Sequence, residues 1–483
     1  MVDLPASMQK KFLSNLAFLL FLNLLVKPFW IFGIDRAVQN EVGAEAYGSY
    51  FALFNFALIL NIFLDLGISN FNNRNISQHE HLLGKYFPRI VALRLLLAVG
   101  YFLICIVAGL LFNYSADQLS MLALLCFNQF LLSFILFLRS NISGLQLFKI
   151  DSTISILDRL LMIVSCGWIL WFTDRSVPFQ IEWFVYLQTG AYSLTMLAAF
   201  GVVLKYGGKF SYSWNFPMLR LILKQSLPFA LLILFMSIYG RVDSVLIERL
   251  LIDGKEQAGI YAQAFRLLDA SNMIAYLFAV LLLPMFSRML KLKEDVGPLA
   301  GIASKLVVIP AFALGLICYY HGSDLMELMY HEHSSESAKI LAILMFSLIP
   351  MAGVYVIGTL LTANGSLKML NTIALITVII SIGLNMLMIP LYGVMGAAIT
   401  CLATQGLSFI LQLVVGFREF NFRFGKGAIL LLISLSGVWT TAFLLPPMSW
   451  MTSAVMIAVS GAVFTGVSLL PDMQTIVNLK LRR

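Results

Sequence analysis

The sequence predicts an all-α, polytopic membrane protein of about 14 transmembrane helices, arranged as two parallel-repeat six-helix bundles plus two C-terminal helices. Three observations predict it. The 483 residues are 60% hydrophobic and 12% charged, with a mean hydropathy of +0.90, which no soluble globular chain of this length shows. Apolar runs of about 20 residues recur along the chain, each long enough to cross the hydrocarbon core as a helix. Positions 214 residues apart also align between the two halves: Lys10 with Lys224, Ser14 with Pro228, Lys27 with Arg241, and Tyr47 with Tyr261.

The first span, 13–34, follows Lys10 and Lys11. It is too long for the core of a cleaved signal peptide and is expected to stay as an anchor, kinked at Pro28. The second, 47–69, carries Asn61 and Asp65 towards its end. Four more apolar runs follow at 90–113, 118–138, 153–173 and 182–204. A polar stretch containing Gly207, Gly208 and Pro217 then interrupts the pattern. The second half repeats the plan at 227–252, 258–287, 299–320, 338–363, 369–391 and 395–417, and two more runs, 427–446 and 450–470, stand outside the repeat. The expected organisation is therefore an N-terminal six-helix half (1–206), a cytoplasmic linker (207–226), a C-terminal six-helix half (227–417), and two extra helices with a cytoplasmic tail (427–483).

Orientation follows from the loops. One set holds 21 Lys and Arg residues, among them Lys85, Arg139, Lys149, Arg288, Lys293, Arg418 and Lys426, against five in the other (Arg36, Arg175, Arg249, Lys255 and Lys339). The rich side is expected in the cytoplasm, with both termini. Six spans per repeat is an even number, so the halves should share one orientation, related by an axis along the membrane normal.

A charge at mid-bilayer depth costs roughly 2.5–3.5 kcal/mol on insertion scales, so it is expected to face a wet path or a partner. Lys27 and Arg241 each lie about 14 residues, roughly 21 Å, from the cytoplasmic end of their helices. For Arg241 the alternatives are an ion pair with Asp243 or Glu248, or outward snorkelling. Arg266 can line the same path or pair with Asp269 along one helix face. Arg94 sits near the inner end of its span, where snorkelling competes with a role in binding. Asp65 is the one acid in the second span and a candidate proton or sodium site, with helix capping as the other reading. Asp243 and Asp269 share the ion-coupling candidacy in the second half. Asp158 and Arg159 read as a boundary pair.

Asn385–Ala398 reads N-M-L-M-I-P-L-Y-G-V-M-G-A-A. This resembles the polysaccharide (O-antigen type) flippases of the superfamily that also holds the multidrug and toxic compound extruders and the lipid II flippases. There a helix ends in proline, a tight Tyr-Gly turn follows, and Gly-Ala-Ala opens the next helix, where small residues permit close backbone approach. Tyr47-Gly48-Ser49-Tyr50, Leu227-Pro228-Phe229 with Arg241-Val242-Asp243, and Gly259-Ile260-Tyr261-Ala262 are similar to further stretches of that family. The resemblance implies a V-shaped pair of bundles with a central cavity. It implies alternating access without ATP hydrolysis, moving a lipid-linked oligosaccharide on a polyprenyl pyrophosphate from the inner to the outer leaflet of the bacterial cytoplasmic (inner) membrane.

Such a substrate has an anionic head, which Lys27, Arg241, Arg266 and Arg94 are placed to meet as substrate-binding residues. Trp30, Tyr239 and Tyr276 lie close enough in sequence to these cations to stack on sugars. The expected partners are the polyprenyl-pyrophosphate glycan, membrane lipids and other polysaccharide-assembly membrane proteins. Nucleic acid is excluded, because the basic residues are scattered through short loops. No cofactor is expected beyond a coupling ion, Na+ or H+. The five cysteines lie in apolar runs without metal-ligand spacing. His331 and His333, with Glu327, Glu332 and Glu336, read as a solvated outer loop over 321–337 rather than a metal site. Catalytic residues are not found: there is no phosphate-cradling glycine loop and no nucleophile constellation, and the short, neutral outer loops argue against a glycan polymerase or acyltransferase. The alternative function is a cation-coupled drug or metabolite extruder of the same superfamily.

Overall fold

The computed structural model describes residues 25–26, 28–68, 83–145, 147–173, 177–206, 216–420, 422, 426–446 and 448–481, without the side chains of 85–86, 216–226, 426 and 472–481. Lys27 and most of the first predicted span lie outside the described residues. The described chain is nearly all helix.

A π-helical turn, Trp30–Asp35, leads into α1 (Arg36–Ile59), and a 3-10 turn, Asn61–Leu64, follows it. Then come α2 (Leu83–Leu111), α3 (Ala116–Gly144), α4 (Phe148–Trp171), α5 (Ile181–Tyr206), α6 (Phe216–Leu250), α7 (Gly254–Lys291), α8 (Gly297–Met329), α9 (Ser334–Ala363), α10 (Leu367–Tyr392), α11 (Val394–Phe420), α12 (Lys426–Leu444) and α13 (Trp450–Leu481). Among the described residues twelve helices, α2 to α13, are long and apolar enough to cross a membrane. They coincide with the last twelve predicted spans.

The chain forms two compact units, Met1–Ser237 and Ile238–Arg483. In unit 1 the buried core gathers Phe87, Ile90, Leu131, Phe137, Leu138 and Ile142, with Phe87 stacked on Phe137 at 5.5 Å. The outer face of α2 is apolar and exposed at Leu95, Leu96, Val99 and Leu103, as suits a lipid-facing helix. In unit 2 the last two helices pack on α8, where Ile309, Ala313 and Leu316 meet Val438, Ala442 and Ile457.

Three local features differ from or sharpen the expectation. The second span does not begin at 47: the first helix runs on to Gly43, whose φ of 78° breaks α1 in two. Glycine adopts that conformation without steric cost. The expected outer loop 321–337 is mostly helix, because α8 continues to Met329 past a kink at His321. His333 there pairs with Glu256 at 3.1 Å. The Tyr-Gly turn takes its expected form: Gly393 has φ 60°, and a Cβ on Gly396 would stand 2.1 Å from the Met388 carbonyl oxygen, so α10 and α11 approach as closely as backbone permits.

Candidate functional site

In unit 2, Arg241 of α6 reaches α7. Its Nη1 donates to Asp269 Oδ2 at 2.9 Å and its Nη2 to Oδ1 at 3.0 Å, a two-pronged, charge-assisted contact. The arginine side chain is 24% exposed and the aspartate 21%. The guanidinium lies 5.2 Å from the centroid of the Phe265 ring. One turn along α7, Asn272 donates to the Tyr355 hydroxyl at 3.1 Å, and Tyr355 meets Tyr276 edge-on at 6.0 Å. Tyr276 is 53% exposed. Unit 2 thus presents a half-buried, charge-paired guanidinium and, further along α7, an exposed aromatic face.

The alternatives weighed for these residues resolve as follows. Arg241 pairs with Asp269, and Glu248 is bound by its neighbour Arg249. Asp269 pairs across to α6, so it is not reserved for Arg266, which sits half-buried on α7. Tyr239 is buried and cannot offer a ring to a sugar.

Asp243 is 1% exposed and belongs to a separate cluster. Its Oδ2 accepts from the Tyr261 hydroxyl at 3.1 Å and its Oδ1 from Asn385 Nδ2 at 2.7 Å. Asn385 comes from α10, so three helices converge on one carboxylate. Nearby in sequence, Ser381 lies one helical turn before Asn385, and Thr400 lies on α11, which packs on α10. Asn385 Oδ1, Ser381 Oγ and Thr400 Oγ1 are buried oxygens without a protein hydrogen-bond partner.

Unit 1 repeats part of this plan. The Tyr47 hydroxyl contacts both oxygens of Asp35, at 2.9 and 3.0 Å, and Gln39 Nε2 donates to Oδ2 at 3.3 Å. Asp35 escapes the sequence reading because it falls just beyond the predicted end of the first span. Continuation of the helix to Gly43 brings it inside, at the end of the π-helical turn. Such wide turns recur at functional sites. The 214-residue offset aligns Tyr47 with Tyr261 but sets Asp35 against Arg249, so the repeat did not point to it.

The unit 1 arginines exchange the roles expected of them. Arg94 does not snorkel: it is 2% exposed, ion-paired to Asp65, bonded to the Ser133 carbonyl oxygen at 3.0 Å, and 4.7 Å from the Phe137 ring centroid. Asp65 is thereby engaged as a counter-charge, at the end of the 3-10 turn. Arg159 is no boundary residue. Because α4 starts at Phe148, Arg159 stands in mid-helix with its side chain 25% exposed, lying over Trp30 at 5.1 Å and donating to the Tyr192 hydroxyl at 3.2 Å. Trp30 itself is buried under it, stacked on Phe184.

These sites sit in a recognisable frame. A family profile described as "Polysaccharide biosynthesis protein" matches residues 13–290, more than half of the chain. The chain belongs to this polysaccharide biosynthesis family. The capsular polysaccharide biosynthesis protein CapF of Staphylococcus aureus is 24% identical over 209 residues, 42% of this chain and 52% of CapF. The chain therefore spans about half the length of that relative. Solved structures match the fold at lower identity. The lipid II flippase MurJ, in an inward closed conformation, superposes with a TM-score of 0.67 at 14% identity, over 94% of this chain and 99% of MurJ. An inward-facing multidrug resistance MATE family transporter of the MOP superfamily gives 0.60 at 14% identity, over 81% and 94%. A MOP superfamily transporter from Pyrococcus furiosus gives 0.55 at 16% identity, over 84% and 94%. The polysaccharide-family chain is thus a multi-pass membrane protein with the fold of the MOP superfamily transporters.

Proposed function

We propose that this member of the polysaccharide biosynthesis family flips a polyprenyl-pyrophosphate-linked oligosaccharide from the inner to the outer leaflet of the bacterial cytoplasmic membrane, by alternating access along a cationic path, with both termini in the cytoplasm. The observation that carries the reading is Arg241, a guanidinium deep in a span yet a quarter exposed, paired with Asp269 of α7, the helix that also carries the open ring of Tyr276 about two turns on. A pyrophosphate oxygen pair matches the fork that Asp269 now fills, and it can displace that carboxylate without leaving either charge unsolvated. The ring suits a sugar face. Lys27 is the repeat partner of Arg241 in sequence, Arg266 is a second half-buried cation of unit 2, and Arg159 is a partly exposed cation of unit 1. Arg94 serves the path indirectly by holding Asp65. The reading is of a transporter rather than an enzyme, since the substrate crosses the membrane with no bond made or broken.

Coupling is assigned to Asp243. A buried carboxylate held by the neutral side chains of Tyr261 and Asn385 suits a hard monovalent cation or a proton. Asp269 is engaged by Arg241, and Asp65 by Arg94, which favours Asp243 over both. Asp35 is the corresponding buried acid of unit 1.

The test is flipping of a purified lipid-linked oligosaccharide in proteoliposomes. Loss of transport in Lys27→Ala and Arg241→Ala, with normal insertion, is expected. Full activity in the double variant sinks the assignment. Mass spectrometry of lipid co-purified from cells that make such carriers should find a polyprenyl pyrophosphate bearing sugars. The two buried acids, Asp35 and Asp243, also favour a second reading, a cation-coupled extruder of drugs or metabolites. Resistance to cationic dyes on expression, with no carrier lipid co-purified, selects that one.

A further inference from the structure

On α7, Asp269, Asn272 and Tyr276 follow at intervals of three and four residues, so they share one helix face. Tyr355 of α9 stands against that face. Its hydroxyl oxygen accepts from Asn272 Nδ2 at 3.1 Å, and its ring meets Tyr276 edge-on at 6.0 Å. It also interacts electrostatically with Asp269 and Arg241, which places it near their two-pronged contact. The phenol is only half used. A tyrosine hydroxyl is both a donor and an acceptor. Asn272 engages the acceptor side, and among the described residues the O–H itself donates to no group. Asn272 has no second partner among them either: its Oδ1 is buried without a protein hydrogen bond. The single bond of this amide therefore fixes where the Tyr355 hydroxyl stands. Tyr355 is half-buried and Tyr276 is 53% exposed, so the face is open at the Tyr276 ring.

We propose that Tyr355 is a specificity-determining residue for the carried glycan: its O–H donates to a sugar oxygen, Asn272 positions that donor, and the ring of Tyr276 lies against the sugar face. The inference rests on the transport reading and deepens it, because it says which part of the substrate this face reads. A guanidinium fork matches phosphate oxygens, so Arg241 serves a lipid with or without sugar equally. A fixed neutral donor beside an aromatic ring suits a different ligand, a neutral ring with oxygens around its edge and C–H groups on its faces. A hydroxyl held in place by a second side chain loses little freedom when it binds, so its bond is available for discrimination. A site that spends such a donor on its ligand rejects an analogue that lacks the acceptor, because the donor is then left unpaired. The phosphates and the polyprenyl chain offer nothing for the Tyr276 ring to read beyond apolar contact. The chemistry selected here is therefore a neutral sugar near the pyrophosphate.

Competition between two lipids for the full chain in detergent, read by native mass spectrometry, tests it. The probes are the lipid-linked oligosaccharide extracted from cells that make it and polyprenyl pyrophosphate without sugar. The wild type is expected to retain the glycan-bearing lipid in preference to the bare one. Tyr355→Phe keeps the ring and its edge contact with Tyr276, and should lower that preference by about fivefold, the effect of one neutral hydrogen bond. Asn272→Ala should lower it in the same direction by less, since the phenol keeps its donor and loses its aim. The ratio of the two lipids is the deciding readout, because a merely structural role for Tyr355 or Asn272 weakens both lipids together and leaves the ratio as it was. A wild-type ratio in Tyr355→Phe, with the glycan lipid retained by the wild type, overturns this proposal alone. Equal retention of the two lipids by the wild type also overturns it. A wild type that retains neither lipid overturns the transport reading and this proposal with it. If Tyr355→Phe does not fold, the ratio in Asn272→Ala decides.

Discussion

The two units use the same pieces to different ends. Each has a tyrosine, related by the 214-residue offset, whose hydroxyl donates to a carboxylate on the preceding stretch of helix: Tyr47 to Asp35, and Tyr261 to Asp243. Each also has an arginine–aspartate pair. In unit 1 that pair, Arg94 with Asp65, has its cation sealed between Ser133 and Phe137. In unit 2 the pair, Arg241 with Asp269, is partly open on both sides. A sealed ion pair adds little net stability, but removing one partner leaves a stranded charge. A partly open pair can exchange its partner. An intramembrane cation therefore speaks for substrate binding only once its exposure is known, and the two arginines most alike in sequence context part on that test.

The largest expected effect breaks the comparison directly. Asp65→Asn strands the sealed Arg94 guanidinium and should lower stability by about 3–5 kcal/mol, seen as a fall in Tm and in the yield of monodisperse protein. Arg241→Met should cost about 1 kcal/mol or less, because water reaches Asp269. Equal losses of Tm in the two variants would erase the distinction between a structural pair and an exchangeable one.

Transport reverses the order. Arg241→Ala should reduce flipping by about tenfold or more, the cost of one charge-assisted contact to phosphate, while Arg241→Lys recovers part of it because a point charge replaces a fork. Arg159→Ala should give a smaller loss, since Arg159 is already shared with Trp30, Tyr192 and Asp158. Full transport by Arg241→Ala would move the cationic path into unit 1.

The Tyr–Asp pairs sharpen the comparison further. Asp243 is also reached by Asn385 from a helix distant in sequence, whereas the contacts of Asp35 to Tyr47 and Gln39 come from its own stretch of chain. Asp243→Asn should abolish dependence of transport on Na+ or on a pH gradient, whichever drives it. Asp35→Asn should lower the rate by a few fold and leave that dependence in place. The opposite result would make unit 1 the coupling half.

How much of this was legible depends on what kind of physics decides each feature. The spans were legible because a bilayer demands about 20 apolar residues in a row, and α2 to α13 satisfy that demand locally. The Tyr392-Gly393 turn was legible because positive φ and close backbone approach select glycine, and both conditions hold there. Gly43 was hidden among Arg36, Glu41 and Glu45, which read as a loop, whereas one helix runs through Arg36 and Glu41 to Gly43 and the next starts directly after it. That one boundary concealed Asp35. Arg159 was misplaced for a similar reason: Lys149 and Asp151 look like the edge of a span, yet Asp151 is neutralised by Arg139 at 2.7 Å and α4 already includes both. The ion-pair partners were not legible at all. Whether Asp269 faces Arg241 or Arg266 is set by the rotation of α7 against α6, and no spacing within either helix encodes it.

The smallest expected effect tests whether the open pair has a ligand beside it. Tyr276 is more than half exposed and touches Tyr355 only by its edge. Tyr276→Ala should leave Tm within about 0.5 kcal/mol of wild-type stability, as an exposed position does. A sugar stacked on the ring would lose about 0.5–1.5 kcal/mol, which is a change of two- to tenfold in apparent affinity. Tyr276→Phe keeps the ring and should keep the affinity. The informative pattern is the combination with Arg241. If ring and guanidinium hold two ends of one substrate, a cycle of Arg241→Lys with Tyr276→Ala will show coupled losses in transport. Additive losses would mean that the ring serves the lipid interface, and that the cation of unit 2 meets its substrate without it.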